Sequence, residues 1–272
     1  MKRHLALDIE TIADEDLVSA VSSADQATGR SYEEQLSRLL AARRAQSGGR
    51  SDFLPLPYHR PVAACWIEAD EIGGVLRLTG VGRWTDGGRD EAAFLAATWE
   101  RLRSRTLVTF HGEGFDLPVL GLRSLKLGLP SPAHHAAGGV PDRHVDLFDI
   151  LSRGGSNPAP LDLYAKLVGL PGKEDTAGKD VQRLYAQGAA DRIAAYCMTD
   201  VVQTWLLYLR WRLLEGTLGA QGYARSVASA RERLHALFAE LRPGERELLL
   251  PFLERCEPFF SGGAEPPLRQ AL

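Results

Sequence analysis

The chain has 272 residues, 44% of them hydrophobic and 25% charged, with a formal net charge of −3. That is enough apolar material for a core without disulfides or a structural metal, and a balance this close to neutral argues against a general nucleic-acid coat protein. No stretch approaches the ~18 apolar residues of a membrane span, and the apolar start meets Asp8 too early for a signal peptide, so a cytoplasmic protein with no membrane association is expected.

In chain order, residues 5–9 read as a short apolar strand. Residues 11–60 read as partly an insertion, with one Arg-rich helix over 31–44 and a mobile Ser/Gly loop at 47–52. Residues 62–67 and 75–84 read as two strands around a turn at Gly73-Gly74, with a second turn at 86–88. Phe94, Leu95, Trp99 and Leu102 have the spacing of a buried helix face over 91–102. A strand over 106–110, a helix over 117–127, a short apolar element at 145–150 and a helix over 160–170 follow. The pair His134-His135 sits in a Pro/Ala/Gly-rich loop and reads as exposed. A long helix over 192–214 carries a wide apolar stripe. A last amphipathic helix over 223–241 is stopped at Pro243-Gly244, and the tail after Phe260 reads as frayed. The predicted fold class is α/β, a mixed sheet flanked by helices with a C-terminal helical extension. Residues 1–215 form the expected domain and residues 216–272 the extension and tail. The length leaves no room for a polymerase domain.

Three short segments carry the chemistry. In Leu7-Asp8-Ile9-Glu10-Thr11, strand alternation puts Asp8 and Glu10 on one face, where two carboxylates repel unless a cation lies between them. In Phe110-His111-Gly112-Glu113-Gly114-Phe115-Asp116, a strand runs through a glycine loop into a helix that starts at Asp116, a position that also suits a plain helix cap. In Tyr196-Cys197-Met198-Thr199-Asp200, the i, i+4 spacing stacks a phenol and a carboxylate on one helix face. The cysteines Cys65, Cys197 and Cys256 are far apart in sequence and form no C-x-x-C pair, which argues against a zinc site.

Taken together, the segments resemble the DEDDy 3′–5′ exonucleases, and most of all bacterial stand-alone relatives of the proofreading domain of family B DNA polymerases. Asp8 and Glu10 match the family's D-x-E motif, Phe115 and Asp116 the end of its N-x-x-x-F-D motif, and Tyr196 and Asp200 its Y-x-x-x-D motif. Phe53-Leu54-Pro55-Leu56, Tyr58-His59-Arg60-Pro61-Val62, His144-Val145-Asp146-Leu147 and Gly169-Leu170-Pro171-Gly172-Lys173 extend the likeness over residues 4–215. One departure is His111, where the family usually has Asn.

The resemblance implies a ribonuclease H-like fold and two-metal phosphodiester hydrolysis, releasing nucleotides from single-stranded 3′ ends, with DNA favoured over RNA. It implies that Asp8, Glu10, Asp116 and Asp200 hold two divalent cations, Mg²⁺ or Mn²⁺. These hard ions suit an all-carboxylate donor set. Asp8 would bridge the two ions, Glu10 and Asp200 would serve the nucleophile side, and Asp116 the leaving-group side. Tyr196 would orient the attacking water. Thr11, His111 and Phe115 would contact the substrate strand. Asp146, Asp149 and His144 read as cap and surface residues rather than a supporting shell. Two other readings are open: a non-catalytic nucleic-acid-binding scaffold of the same fold, and an oligonucleotidase for very short strands.

Overall fold

The structure is a computed structural model that describes residues 1–24, 30–86, 90–131, 143–172 and 178–262. Most of the turn expected at 86–88, the pair His134-His135 and the tail beyond residue 262 lie outside the described residues.

Five strands form one sheet: β1 (Lys2–Ala13), β2 (His59–Ile72), β3 (Val75–Thr85), β4 (Thr106–Thr109) and β5 (His144–Asp146). Their spatial order is β3-β2-β1-β4-β5. β1 runs antiparallel to β2 and parallel to β4, and β4 runs parallel to β5. This is a mixed sheet of the ribonuclease H-like kind, with β1 at its centre. The helices are α1 (Glu15–Ala24), α2 (Tyr32–Gln46), α3 (Glu91–Leu102), α4 (Asp116–Leu127), α5 (Leu147–Ser152), α6 (Leu161–Leu167), α7 (Val181–Ala186), α8 (Ala190–Leu214), α9 (Ala220–Ala239), α10 (Pro243–Arg255) and α11 (Glu257–Gly262).

Period-two alternation along β1 sets the two layers. Leu5, Leu7 and Ile9 pack with Phe94, Leu95 and Trp99 of α3 and with Leu117 and Leu120 of α4. Ala6 faces the other way, into the large core built by Cys65, Ile67 and Val108 with Val201, Trp205 and Leu209 of α8. Asp8 and Glu10 follow Ala6 on that second face, at the end where the apolar core stops.

Several elements differ from expectation. β1 continues to Ala13 because its last residues, 11–13, pair with residues 59–61 of β2 across a register shift at Glu10/Thr11. The segment after it contains two helices rather than one. α2 begins in a capping box at Ser31 and packs through Leu36 against Ala13, Val18 and Leu54. The element at 145–150 is two pieces, β5 and α5, joined at Asp146, whose side chain caps α5. α7, α10 and α11 were not expected.

Two connections hold these layers around the strand that carries Asp8. Arg123 of α4 forms ion pairs with Asp14, just past β1, and with Glu91 of α3 (2.6 Å). The C-terminal helices join the main core instead of standing apart from it. Ser226 of α9 accepts from the Leu76 amide (2.9 Å), and Glu245 of α10 pairs with Arg83 of β3 (2.6 Å). α9 passes so close to the β2–β3 turn that a Cβ at Gly222 would lie 2.2 Å from the Gly74 carbonyl oxygen. Among the described residues, no helix is long and apolar enough to cross a membrane.

Candidate metal centre and strand-end cleft

β4 pairs with β1 only as far as Ala6↔Val108. Beyond that point the chain turns through residues 110–115 into α4. The Ile9 amide then donates to Asp116 Oδ1 (3.0 Å). Asp116 opens α4; the capping position before it is Phe115, which has no polar side chain to cap the helix, and the Asp116 carboxylate reaches back to the central strand. It is 4% exposed, and its carboxyl is pushed up to about 7. Burial is the main cause. The Ile9 and Asp116 amides oppose it, and the charges of Asp146 and Asp200 add to it.

The loop leading to Asp116 is braced from β5. Asp146 accepts from the amides of His111 (2.7 Å), Glu113 (2.8 Å) and Phe148 (3.0 Å). The buried Asp146 is therefore a scaffold residue of the loop as well as a helix cap. His111 has a φ of 68°, a left-handed conformation that Asn and His tolerate better than most residues. Its ring lies over Gly114 and against Phe148, with ring centroids 4.4 Å apart.

α8 crosses the sheet beneath Asp8 and Glu10. Tyr196 and Asp200 lie one turn apart on it and hydrogen-bond to each other through their side chains. The phenol is pushed far above its ordinary value, first by burial, then by the charges of Asp200, Glu10 and Asp8. All three carboxylates thus act on one phenol, Asp200 through a hydrogen bond as well as through its charge. The neighbouring Cys197 also faces the strand: its thiol donates to the Asp8 carbonyl (3.3 Å) and to Asp8 Oδ2 (3.4 Å). Ligand atoms of Asp8, Glu10 and Cys197 all lie within 4.8 Å of one another. Burial and the bond to Cys65 hold the Cys197 proton on sulfur, so this thiol steers Asp8 as a donor and leaves the oxygens as the ionic donor set. Like-charged oxygens gathered at low exposure fit hard divalent cations.

The five residues of the three motifs thus meet at one end of β1. The three expected substrate contacts do not share one place. Thr11 and Phe115 line a cavity of about 490 Å³ that opens beside Glu10. The Thr11 hydroxyl is engaged by His59 Nδ1 (2.9 Å). His111 lines a separate cavity of about 360 Å³ with Phe110 and Phe148. Sequence reasoning gave no role to Cys65, whose place beside Cys197 follows from the pairing of Asp8 with Cys65 across β1 and β2. It also missed the contact of Phe53 and His59 with Phe115.

A family described as predicted 3′–5′ exonuclease related to the exonuclease domain of PolB matches residues 51–256. That stretch includes Asp116, Tyr196 and Asp200 and begins after Asp8 and Glu10, which the fold brings to the same place. Among solved structures, the chain is similar to the family B DNA polymerase from the hyperthermophilic archaeon Pyrobaculum calidifontis. The TM-score is 0.50 at 18% identity, over 88% of this chain and 29% of the polymerase, which is a likeness of fold. No curated protein matches the chain.

Proposed function

The chain belongs to the family of predicted 3′–5′ exonucleases related to the exonuclease domain of PolB, and from that premise we propose that it hydrolyses single strands, DNA in preference to RNA, from the 3′ end with two divalent cations. The observation that carries this reading is the meeting of Asp8, Glu10, Asp116, Tyr196 and Asp200 at one end of the central strand. Asp8, Glu10, Asp116 and Asp200 would hold the ions, Mg²⁺ or Mn²⁺. When bound, such a pair activates water and offsets charge on both the attacking and leaving oxygens.

The protein's own groups do the positioning. Asp8 is oriented by the Cys197 thiol, which donates to its Oδ2. The Ile9 amide fixes one oxygen of Asp116 against the central strand. An ordinary phenol holds its proton at neutral pH, so Tyr196 would orient water rather than remove a proton. Thr11 and Phe115 border the place beside Glu10 where a terminal nucleotide would lie, and His111, in its separate cavity, would contact the strand elsewhere. Residues 1–215 hold every one of these groups, and α9 and α10 brace the β2–β3 side of the sheet.

The test is degradation of a 5′-labelled single strand with Mg²⁺, Mn²⁺ or EDTA. Stepwise shortening from the 3′ end is expected with either metal and none with EDTA. Asp200→Ala should lower the rate by two to three orders of magnitude or more, the scale of losing a transition-state electrostatic contact. Full activity of that variant would sink the assignment, and tight strand binding without cleavage would favour a scaffold.

A further inference from the structure

α8 runs through the core, and every residue from Asp200 to Leu209 is buried. A helix segment buried on all sides is expected to be apolar all round. Gln203 breaks that pattern. It is 0% exposed, and neither atom of its amide, Nε2 or Oε1, meets a hydrogen-bond partner among the described residues. Buried amides are normally paired, because an unpaired one is strongly disfavoured relative to an apolar group of the same size. Methionine or leucine would fill this space with less strain on stability, so packing does not account for the residue.

Its place on the helix does. Gln203 lies one turn after Asp200 and two turns after Tyr196, so the three share one side of α8. Side chains on a helix lean toward its N-terminus and cover the turn before their own. That lean directs the Gln203 amide back toward the turn that carries Asp200. Glutamine and aspartate at this spacing suit a hydrogen bond. In this structure the Asp200 carboxylate is engaged by the Tyr196 phenol instead. The two roles given to that phenol compete: a hydroxyl that turns to water releases Asp200. A carboxylate that ligates a metal is itself held by a further hydrogen bond. Gln203 has unused N–H groups on the side where Asp200 needs one.

We propose that Gln203 is a positioning residue of the metal centre: its amide donates to the Asp200 carboxylate when the Tyr196 hydroxyl turns to the attacking water, and so holds Asp200 in place for a cation. The unpaired amide of the metal-free protein keeps that donor in reserve. The proposal rests on the nuclease reading and adds to it a residue that none of the three motifs contains.

The experiment replaces the amide by an apolar side chain of nearly the same size, Gln203→Met, and reads two quantities. Thermal melting in EDTA should rise by about 2–4 °C, because an unpaired buried polar group has gone. Calorimetric titration with Mn²⁺ should show affinity weakened about tenfold or more, the effect of removing a group that supports a ligand. A merely structural glutamine would move the melting temperature and leave the affinity alone. Gln203→Leu is read in the same way if the methionine variant does not fold. Mn²⁺ bound as tightly by the folded variants as by wild type overturns the proposal. So does a fall in melting temperature together with affinity, which would mark a general loosening of the core. Degradation of the 5′-labelled strand by wild-type protein judges the nuclease reading separately. A protein that binds Mn²⁺ and cuts nothing loses that reading, while the variants still decide whether Gln203 serves the cation site. Wild-type protein that takes up no Mn²⁺ overturns both.

Discussion

The two ends of β1 handle buried charge in opposite ways. Near its start, His4 sits between Glu71 (3.1 Å) and the Tyr208 hydroxyl (3.2 Å), and Arg212 donates to both Tyr208 (2.9 Å) and Glu71 (3.1 Å). Acid, base and neutral partners alternate, and Arg212 draws the Glu71 carboxyl below its usual range despite burial. Near its end, burial raises Asp116 and Tyr196 and neighbouring carboxylates add to it, Asp146 and Asp200 for the first, and Asp200, Glu10 and Asp8 for the second. The first arrangement stabilises the fold as it stands. The second opposes folding until something positive joins it, which is the physical signature of a site.

Three substitutions sharpen that contrast. The largest effect is expected for Tyr196→Phe, which keeps the ring in the core and removes the hydroxyl. The turnover rate should fall by up to about a hundredfold, the scale of misplacing a reacting group. Melting should change little, and an unchanged turnover rate would remove Tyr196 from the chemistry. At the opposite end, Arg212→Met leaves Glu71 and Tyr208 without their shared donor. A loss of about 1.5–3 kcal/mol is expected from urea unfolding, with the cleavage rate per folded molecule unaltered. If the rate fell instead, the two ends would not be independent.

The third substitution is Asp116→Asn in metal-free protein. The folded carboxyl, at about 7, lies above its ordinary 3.8, so the fold favours the protonated form. The wild-type protein therefore loses stability as pH rises from about 4 through 7, by at most about 1.4 kcal/mol for each step of one in pH. The variant cannot ionise and should gain on wild type across that window, as thermal melts at pH 5 and 8 would show. Adding Mn²⁺ should narrow the gap. A variant less stable than wild type at pH 8 without metal would mean that Asp116 is satisfied as a charge.

Local patterns were legible in the sequence wherever one face met the core. The helix predicted over 91–102 coincides with α3, whose Phe94, Leu95, Trp99 and Leu102 are all buried. The pairs Asp8/Glu10 and Tyr196/Asp200 share faces as their spacing requires. What was lost depended on long-range pairing or on punctuation. Residues 11–13 extend β1 only because residues 59–61 lie beside them. α10 was hidden by Pro243, which starts the helix at its first turn, where a missing amide costs nothing. The approach of Phe53 and His59 to Phe115 joins segments some sixty residues apart, with no periodicity to announce it.

The bond from the Ile9 amide to Asp116 has an evolutionary consequence. A rung of the sheet's ladder is supplied by a side chain, so the residue there answers to architecture and chemistry at once. A lineage that gave up cleavage would still be under pressure to keep an acceptor at this position, and Asn would serve. Descendants of this fold that retain an oxygen at residue 116 thus need not be active, whereas drift at Asp8 or Asp200 would be the earlier sign that catalysis had been abandoned.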